Sequence, residues 1–275
     1  VEIKQGQGVV AFLVGPKKHI LPVTAMLLSV SKNWFGPITV GVEDWFDTAC
    51  LRHWIELNLN VDIVYLKGLP AADNLKMQWC QQNLPLVSPY SGTLFLDSYC
   101  VALKPVACLF DFARDSDLAT VREYCRTLER AVKRDALGLW EKAPTDYSHP
   151  PTRIPPADIP DAPWLRKSLM VINDSAKTRQ LFSESADPYW LEMNLARLGI
   201  NWFEMPDIVC DRRLVINQHD QIVEESGTWN DNAIVVWKPG WGMRRVLAAR
   251  HPEMLDIAEK MTLDLQLKNV PKHRF

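Results

Sequence analysis

Apolar and polar positions along the first hundred residues alternate between two periods. Val9 to Val14 (VVAFLV) is a continuous apolar run stopped by Gly15-Pro16, which predicts a short buried strand. Ile20, Val23, Leu27 and Val30 then recur at helical spacing and predict a helix over 20–32. Pro37 to Val42 (PITVGV) predicts a second strand ending in Glu43-Asp44. Residues 45–58 are amphipathic, with Trp45, Ala49, Leu51, Trp54, Ile55 and Leu57 apolar. Val61 to Leu66 predicts a third strand, Asp73 to Asn83 a short helix, and Thr93 to Leu96 a fourth strand. Such alternation implies βαβ units: an α/β fold with a mostly parallel central sheet flanked by helices on both faces.

Beyond residue 112 the clearest periodicity lies at 115–136. Leu118, Val121, Cys125, Leu128 and Val132 step by three and four, so a helix is expected there, capped by Asp115 or Ser116. Arg122, Arg126, Arg130, Lys133 and Arg134 mark its other side as a solvated basic face. Residues 143–163 hold seven of the 19 prolines and predict a loop or polyproline excursion. Leu169 to Ile172 (LMVI) predicts a strand, and helices are expected from Ser175 and over Pro188 to Leu198. Ile234 to Trp237 (IVVW) is strand-like, and His251-Pro252 opens a last helix, where proline fits the first turn.

Composition adds little to this but excludes several classes. The chain has 275 residues, is 47% hydrophobic and 23% charged, and carries a net charge of −2. It can bury a core as one large domain or two small ones, and its bulk charge favours neither nucleic acid nor membrane. The cysteines at 50, 80, 100, 108, 125 and 210 form no CxxC, so they read as buried thiols in a reducing compartment rather than a zinc site. The first residues lack a signal-peptide pattern and no apolar run approaches a membrane span, so a cytoplasmic location is expected. Eleven tryptophans suit core packing or stacking platforms.

Candidate chemistry gathers at the strand ends, where open parallel sheets bind ligands. The first end supplies Gly15, Pro16, Lys17, Lys18 and His19; the second Glu43 and Asp44; the fourth Asp97 and Ser98. Lysines and carboxylates around one crevice suit a phosphorylated ligand, with or without a divalent cation. No GxGxxG follows the first strand, and neither GxxxxGK[ST] nor GxSxG occurs, so a dinucleotide fold, a P-loop and an α/β hydrolase are unsupported. The plain alternatives are a strand terminator for Asp97, solvated turn lysines at 17 and 18, and cap residues at 43 and 44.

The stretch GTLFLDSYCVALKP (92–105) resembles the strand-then-acid segment of GT-A nucleotide-sugar glycosyltransferases, especially those related to glycogenin and the lipopolysaccharide galactosyltransferases. In that family the strand leads into Asp-x-Asp and a second short strand. Upstream, Lys76 in ADNLKMQW matches a basic helix position. Downstream, LRKSLMVINDSAKTRQLF (165–182) resembles the Asn-Ser-Gly strand and its helix, and DPYWLEMNLARLGINWFEMP (187–206) the Asp-Gln-x-x-x-Asn helix. AIVVWKPGWGMRR (233–245) resembles the terminal His-x-x-Gly segment.

The resemblance divides the chain into a nucleotide-sugar-binding half (1–112), a helix with a proline-rich insertion (113–163), an acceptor-side half (164–245) and a C-terminal helix and tail (246–275). It implies a glycosyltransferase using a nucleotide diphosphate sugar, UDP-sugar first, on a cytosolic glycan, protein or modified DNA base. It assigns donor contacts to Gly15, Lys17, Lys18, Glu43, Asp44, Lys76, Asp97, Ser98 and Tyr99. Lys238, Arg244 and Arg245 fall to the leaving group, Lys167, Trp237 and Trp241 to the acceptor, and Asp187 or Glu192 to a catalytic base should the reaction invert.

Departures from the pattern bear on metal. The second acid of Asp-x-Asp is Tyr99, Asn-Ser-Gly reads Arg166-Lys167-Ser168, the acid of the Asp-Gln pair falls at Tyr189, and the terminal metal-binding histidine falls at Trp237. Asp97 is then the one metal ligand left, and manganese or magnesium is expected to be weakly held or absent. The literal Asp115-Ser116-Asp117 is expected to be a helix start rather than a metal site. Two other readings stay open: a degenerate nucleotide- or partner-binding protein without catalysis, and a sugar-nucleotide nucleotidyltransferase, for which GPKKHILP is glycine-poor.

Overall fold

The computed structural model describes residues 4–15, 19–43, 61–127, 163–184, 190–211, 214–216, 222–224, 230–237 and 241–268. The amphipathic segment 45–58 and nearly all of the proline-rich stretch lie outside them.

Strands β1 (Gln7–Leu13), β2 (Ile38–Glu43), β3 (Val61–Leu66) and β4 (Gly92–Leu96) are where the apolar runs predicted them. Helices α1 (Ile20–Asn33) and α2 (Asp73–Gln82) alternate with them, followed by the single turn α3 (Leu84–Val87). After β4 the chain runs through β5 (Cys100–Ala102), α4 (Leu109–Phe112), β6 (Leu118–Thr127) and β7 (Pro163–Asn173). It continues through α5 (Ala176–Ser183), α6 (Trp190–Arg197), β8 (Trp202–Met205), β9 (Cys210–Asp211), β10 (Leu214–Ile216), β11 (Ile222–Glu224), β12 (Val235–Trp237), α7 (Trp241–Arg250) and α8 (Pro252–Lys268).

Seven strands form the central sheet in the order β3-β2-β1-β4-β7-β6-β8. All pairs are parallel except those made by β7, which runs antiparallel to both β4 and β6. Its strands come from all three of the first sequence segments, so the expected mostly parallel sheet is one continuous layer. Pleat alternation sends Val9, Ala11 and Leu13 into a core beneath α1 and α8, and Val10, Phe12 and Val14 into a second core on the opposite face. Helix α1 is buried almost continuously from Ile20 to Val30, because the sheet covers one side and α8 and β5 cover the other. A small second sheet, β5-β12-β9, lies below the end of β4.

One prediction is overturned. Residues 118–127, expected within a helix over 115–136, form strand β6 between β7 and β8. The i, i+3 pair Leu118 and Val121 was read as one helical face, but on a strand these positions point to opposite faces. Each face has its own core here, Leu118 entering one and Val121 the other. A strand buried on both sides loses the period-2 signature that would have named it. The capping expectation fails with the helix: Asp117 accepts from Asn201 N at 3.0 Å and Ser175 Oγ at 3.1 Å, clasping the start of β6 to two neighbouring loops. Arg122, assigned to a solvated face, pairs with Glu204 of β8 at 2.6 Å and stands over the Trp202 ring. Strand β7 also starts at Pro163, six positions ahead of the predicted Leu169.

Candidate functional site

The chain leaves β1 toward β2 and β3 on one side, then returns to place β4 on the other side of β1. That reversal lies between the carboxyl ends of β1 and β4, the kind of place where doubly wound sheets bind ligands. Asp97 follows β4 directly. It is 4% exposed, and its Oδ1 accepts from Ser98 Oγ at 3.1 Å and from Tyr99 N at 3.0 Å. Its carbonyl accepts from Cys100 N at 3.0 Å. An aspartate that folds its own side chain over the next two residues makes a tight turn, and this one swings the chain from the large sheet into β5. Asp97 is thus a turn former at the end of β4.

Beside it, β7 bulges. Thr120 pairs with Met170, but Arg122 already pairs with Leu165, so extra β7 residues are looped out. The Thr120 hydroxyl lies 2.9 Å from the Arg166 carbonyl and 2.7 Å from that of Leu169, sharing its one hydrogen across the loop. Asp97 N donates to the Ser168 carbonyl at 2.8 Å, so the bulge is fastened to the Asp97 turn. The result aims Arg166 inward: it is 6% exposed and donates to the Cys210 carbonyl. Asp97 and Arg166 act on the same buried thiol, Cys100, the acid raising its pKa and the guanidinium opposing, with burial the largest cause of a strong upward shift. Sequence reasoning did not place Arg166 in the site; a buried arginine inside a strand is visible in the sequence only once the bulge is known.

At the first two strand ends, Glu43 organises the turn. Gly15 sits at φ +82, in the left-handed region that glycine enters without strain, and its N–H donates to Glu43 Oε1 at 2.5 Å. Glu43 Oε2 accepts from Lys76 Nζ at 2.8 Å, and Lys76 also pairs with Asp73 at 2.7 Å. Burial works against the Lys76 ammonium, but hydrogen bonds to Asp73 and Glu43 outweigh it and raise its pKa. The structure therefore brings Gly15, Glu43 and Lys76 together as one cluster.

Tyr99 and Trp237 meet just past the end of β4. Trp237 pairs with Cys100 across β12 and β5, and its ring lies edge-on to Tyr99 at 6.1 Å and 75°. His19, at the start of α1, approaches the same Tyr99 ring to 6.0 Å. The other candidates separate. Glu192 is 2% exposed and faces Lys167 at 3.2 Å and Leu165 N at 3.1 Å, a buried pair between α6 and β7. Arg244 pairs with Glu259 of α8 at 2.8 Å, and Arg245 is exposed on α7. Trp241 begins α7. Lys17, Lys18, Asp44, Asp187 and Lys238 lie outside the described residues.

No protein-family model and no curated protein sequence matches this chain. Solved structures do match. The bifunctional glycosyltransferase WbbM superposes with a TM-score of 0.54 at 12% identity, over 94% of this chain and 52% of its own. The galactosyltransferase LgtC, solved with donor and acceptor sugar analogs, superposes with a TM-score of 0.52 at 12% identity, over 92% of this chain and 95% of its own. The fold is of the GT-A glycosyltransferase type. GlyE of Streptococcus pneumoniae TIGR4 matches at a TM-score of 0.46 and 13% identity, over 75% of this chain and 46% of its own. This chain spans about half the length of GlyE and WbbM.

A GT-A site of the Asp-x-Asp kind would hold a divalent cation on carboxylates and a histidine. The donor set here does not suit one. Asp97 Oδ1 accepts two hydrogen bonds from its own turn, and Tyr99 and Trp237, the positions to which the sequence resemblance assigns the other two ligands, are packed rings. Among the described residues no three His, Cys, Asp or Glu side chains gather as a metal cluster, the Asp115-Ser116-Asp117 stretch included.

Proposed function

We propose that this chain transfers a sugar from a nucleoside diphosphate sugar, UDP-sugar first, to an acceptor hydroxyl or amide. The observation that carries the reading is the Asp97 turn standing at the β1–β4 reversal of a GT-A-type sheet. LgtC, of similar fold, is described with donor and acceptor sugar analogs. The donor would lie across the carboxyl ends of β1, β2 and β4, with its nucleoside by Glu43 and Gly15 and its ribose by Asp97. Its diphosphate would face the start of α1, whose first turn carries no acidic residue and whose amide dipoles favour anions.

The anomeric carbon passes through an oxocarbenium-like state, so the protein must stabilise the departing diphosphate and hold the acceptor in line. Lys76 is already shared by two carboxylates and Arg244 by Glu259. Leaving-group charge is therefore assigned first to Lys17, Lys18 and Lys238, with Arg245 behind them. Asp187 is the candidate base, since Glu192 is enclosed with Lys167. A glycan, a protein or a modified DNA base serves as acceptor.

Calorimetric titration with UDP, GDP, CDP and ADP, followed by turnover assays on the matching sugar donors, tests this. One nucleotide is expected to bind, and Asp97→Asn, which keeps the shape of the turn residue, is expected to weaken it by about tenfold, or 1.4 kcal/mol. A protein that binds none of the four, or an Asp97→Asn variant of unchanged affinity, overturns the reading. Binding without turnover of any sugar donor would favour a nucleotide-binding protein without catalysis.

A further inference from the structure

Tyr99 and Trp237 stand at the two positions that the sequence resemblance assigns to metal ligands, and they are in contact with each other. They come from distant parts of the chain, from the Asp97 turn and from strand β12 of the small sheet. Each is nearly enclosed, Tyr99 at 6% and Trp237 at 5% exposure. Two packed rings thus stand at the positions where the resemblance would have a hard cation's ligands.

The same region contains a fixed positive charge. The β7 bulge drives Arg166 into the interior, where it is held by the Cys210 carbonyl, two residues from the Ser168 carbonyl that accepts from Asp97 N at 2.8 Å. An arginine is charged at every physiological pH, and it cannot be chelated away.

We propose that this protein binds its nucleoside diphosphate donor without a divalent cation, the packed Tyr99–Trp237 pair standing where the resemblance places two of the metal's ligands and Arg166 bringing a permanent positive charge to the bulge that is fastened to the Asp97 turn. This rests on the function proposed above and specifies its cofactor requirement. The arrangement is concerted: restoring one ligand alone would set a carboxylate or an imidazole against the remaining ring, so single replacements are of little use.

The test is calorimetry of UDP, GDP, CDP and ADP in EDTA and in manganese, together with the electron paramagnetic resonance signal of free Mn²⁺. For the nucleotide that binds, affinity is expected to differ by less than about threefold between the two conditions. The protein is expected to retain no manganese beyond what the nucleotide alone holds. The double variant Tyr99→Asp/Trp237→His is expected to gain manganese retention if it folds by circular dichroism; the wild-type measurements decide the matter whether or not it does. Nucleotide binding that requires manganese, or tightens by about tenfold with it, overturns this inference and leaves the proposed function standing. Failure of all four nucleotides to bind under both conditions overturns the function, and the inference with it.

Discussion

At Glu192 the carboxylate is enclosed between α6 and β7, and Lys167 is its cation at 3.2 Å. Burial pushes the Glu192 pKa above the ordinary glutamate value, and Lys167 with the Leu165 and Glu192 amides only partly offsets it. A carboxyl whose pKa is raised on folding binds more protons folded than unfolded. Its contribution to stability is therefore fully present below the ordinary glutamate pKa and is lost as pH rises through the raised value. Lys167→Met would leave the carboxylate buried without its cation. Urea unfolding at pH 8 is expected to show a loss of about 3 kcal/mol, shrinking as pH falls through the raised Glu192 value and the carboxylate takes up a proton. The residue types were legible in the sequence; their partnership was not, because Lys167 and Glu192 sit on different elements and meet only once α6 packs on the strand. Glu43 teaches the same lesson. Its position at a strand end was predictable, but its grip on Gly15 N and Lys76 depends on two further elements arriving.

Strand β6 and the bulge of β7 are where element-level reading failed and where the site is shaped. The helical spacing at 118–132 is real, but part of it falls on a strand whose two faces are both buried. Local periodicity cannot separate a helix face from two opposed strand faces when both are apolar. The bulge itself has no sequence signature beyond Thr120, whose hydroxyl spans the carbonyls of Arg166 and Leu169. Thr120→Val keeps the shape and removes that hydrogen, leaving two buried acceptors. Chemical denaturation is expected to show a loss of about 1–3 kcal/mol. Because the bulge is fastened to the Asp97 turn through Ser168, nucleotide affinity is expected to fall as well. A destabilised variant with unchanged affinity would separate the bulge from the site. By contrast β1 to β4, α1, α2 and α5 were legible, each marked by a continuous apolar run, a 3.6-residue spacing or a cap. Ser175 and Thr178 form the capping box that opens α5.

At the scale of the whole molecule, α8 closes the core that α1 begins. Thr24 and Thr262 approach to 3.5 Å across the two helices, and Lys32 pairs with Glu253 at 3.1 Å. Because α1 is apolar nearly all round, removing 252–275 would bare one of its sides. Such a truncation is expected to bind a hydrophobic dye strongly and to lose its cooperative thermal transition; a native-like melt would show that α8 is dispensable. The sequence by itself determined the mostly parallel α/β sheet and the places of Glu43 and Asp97 at its strand ends, since these rest on local apolar runs and on residue identity. Only the tertiary structure decided that 118–127 is a strand, that Arg166 turns inward, that Glu192 is enclosed with Lys167, and that Tyr99 and Trp237 touch. Those outcomes depend on which faces are covered and on contacts between residues far apart in the chain, and no local pattern encodes them.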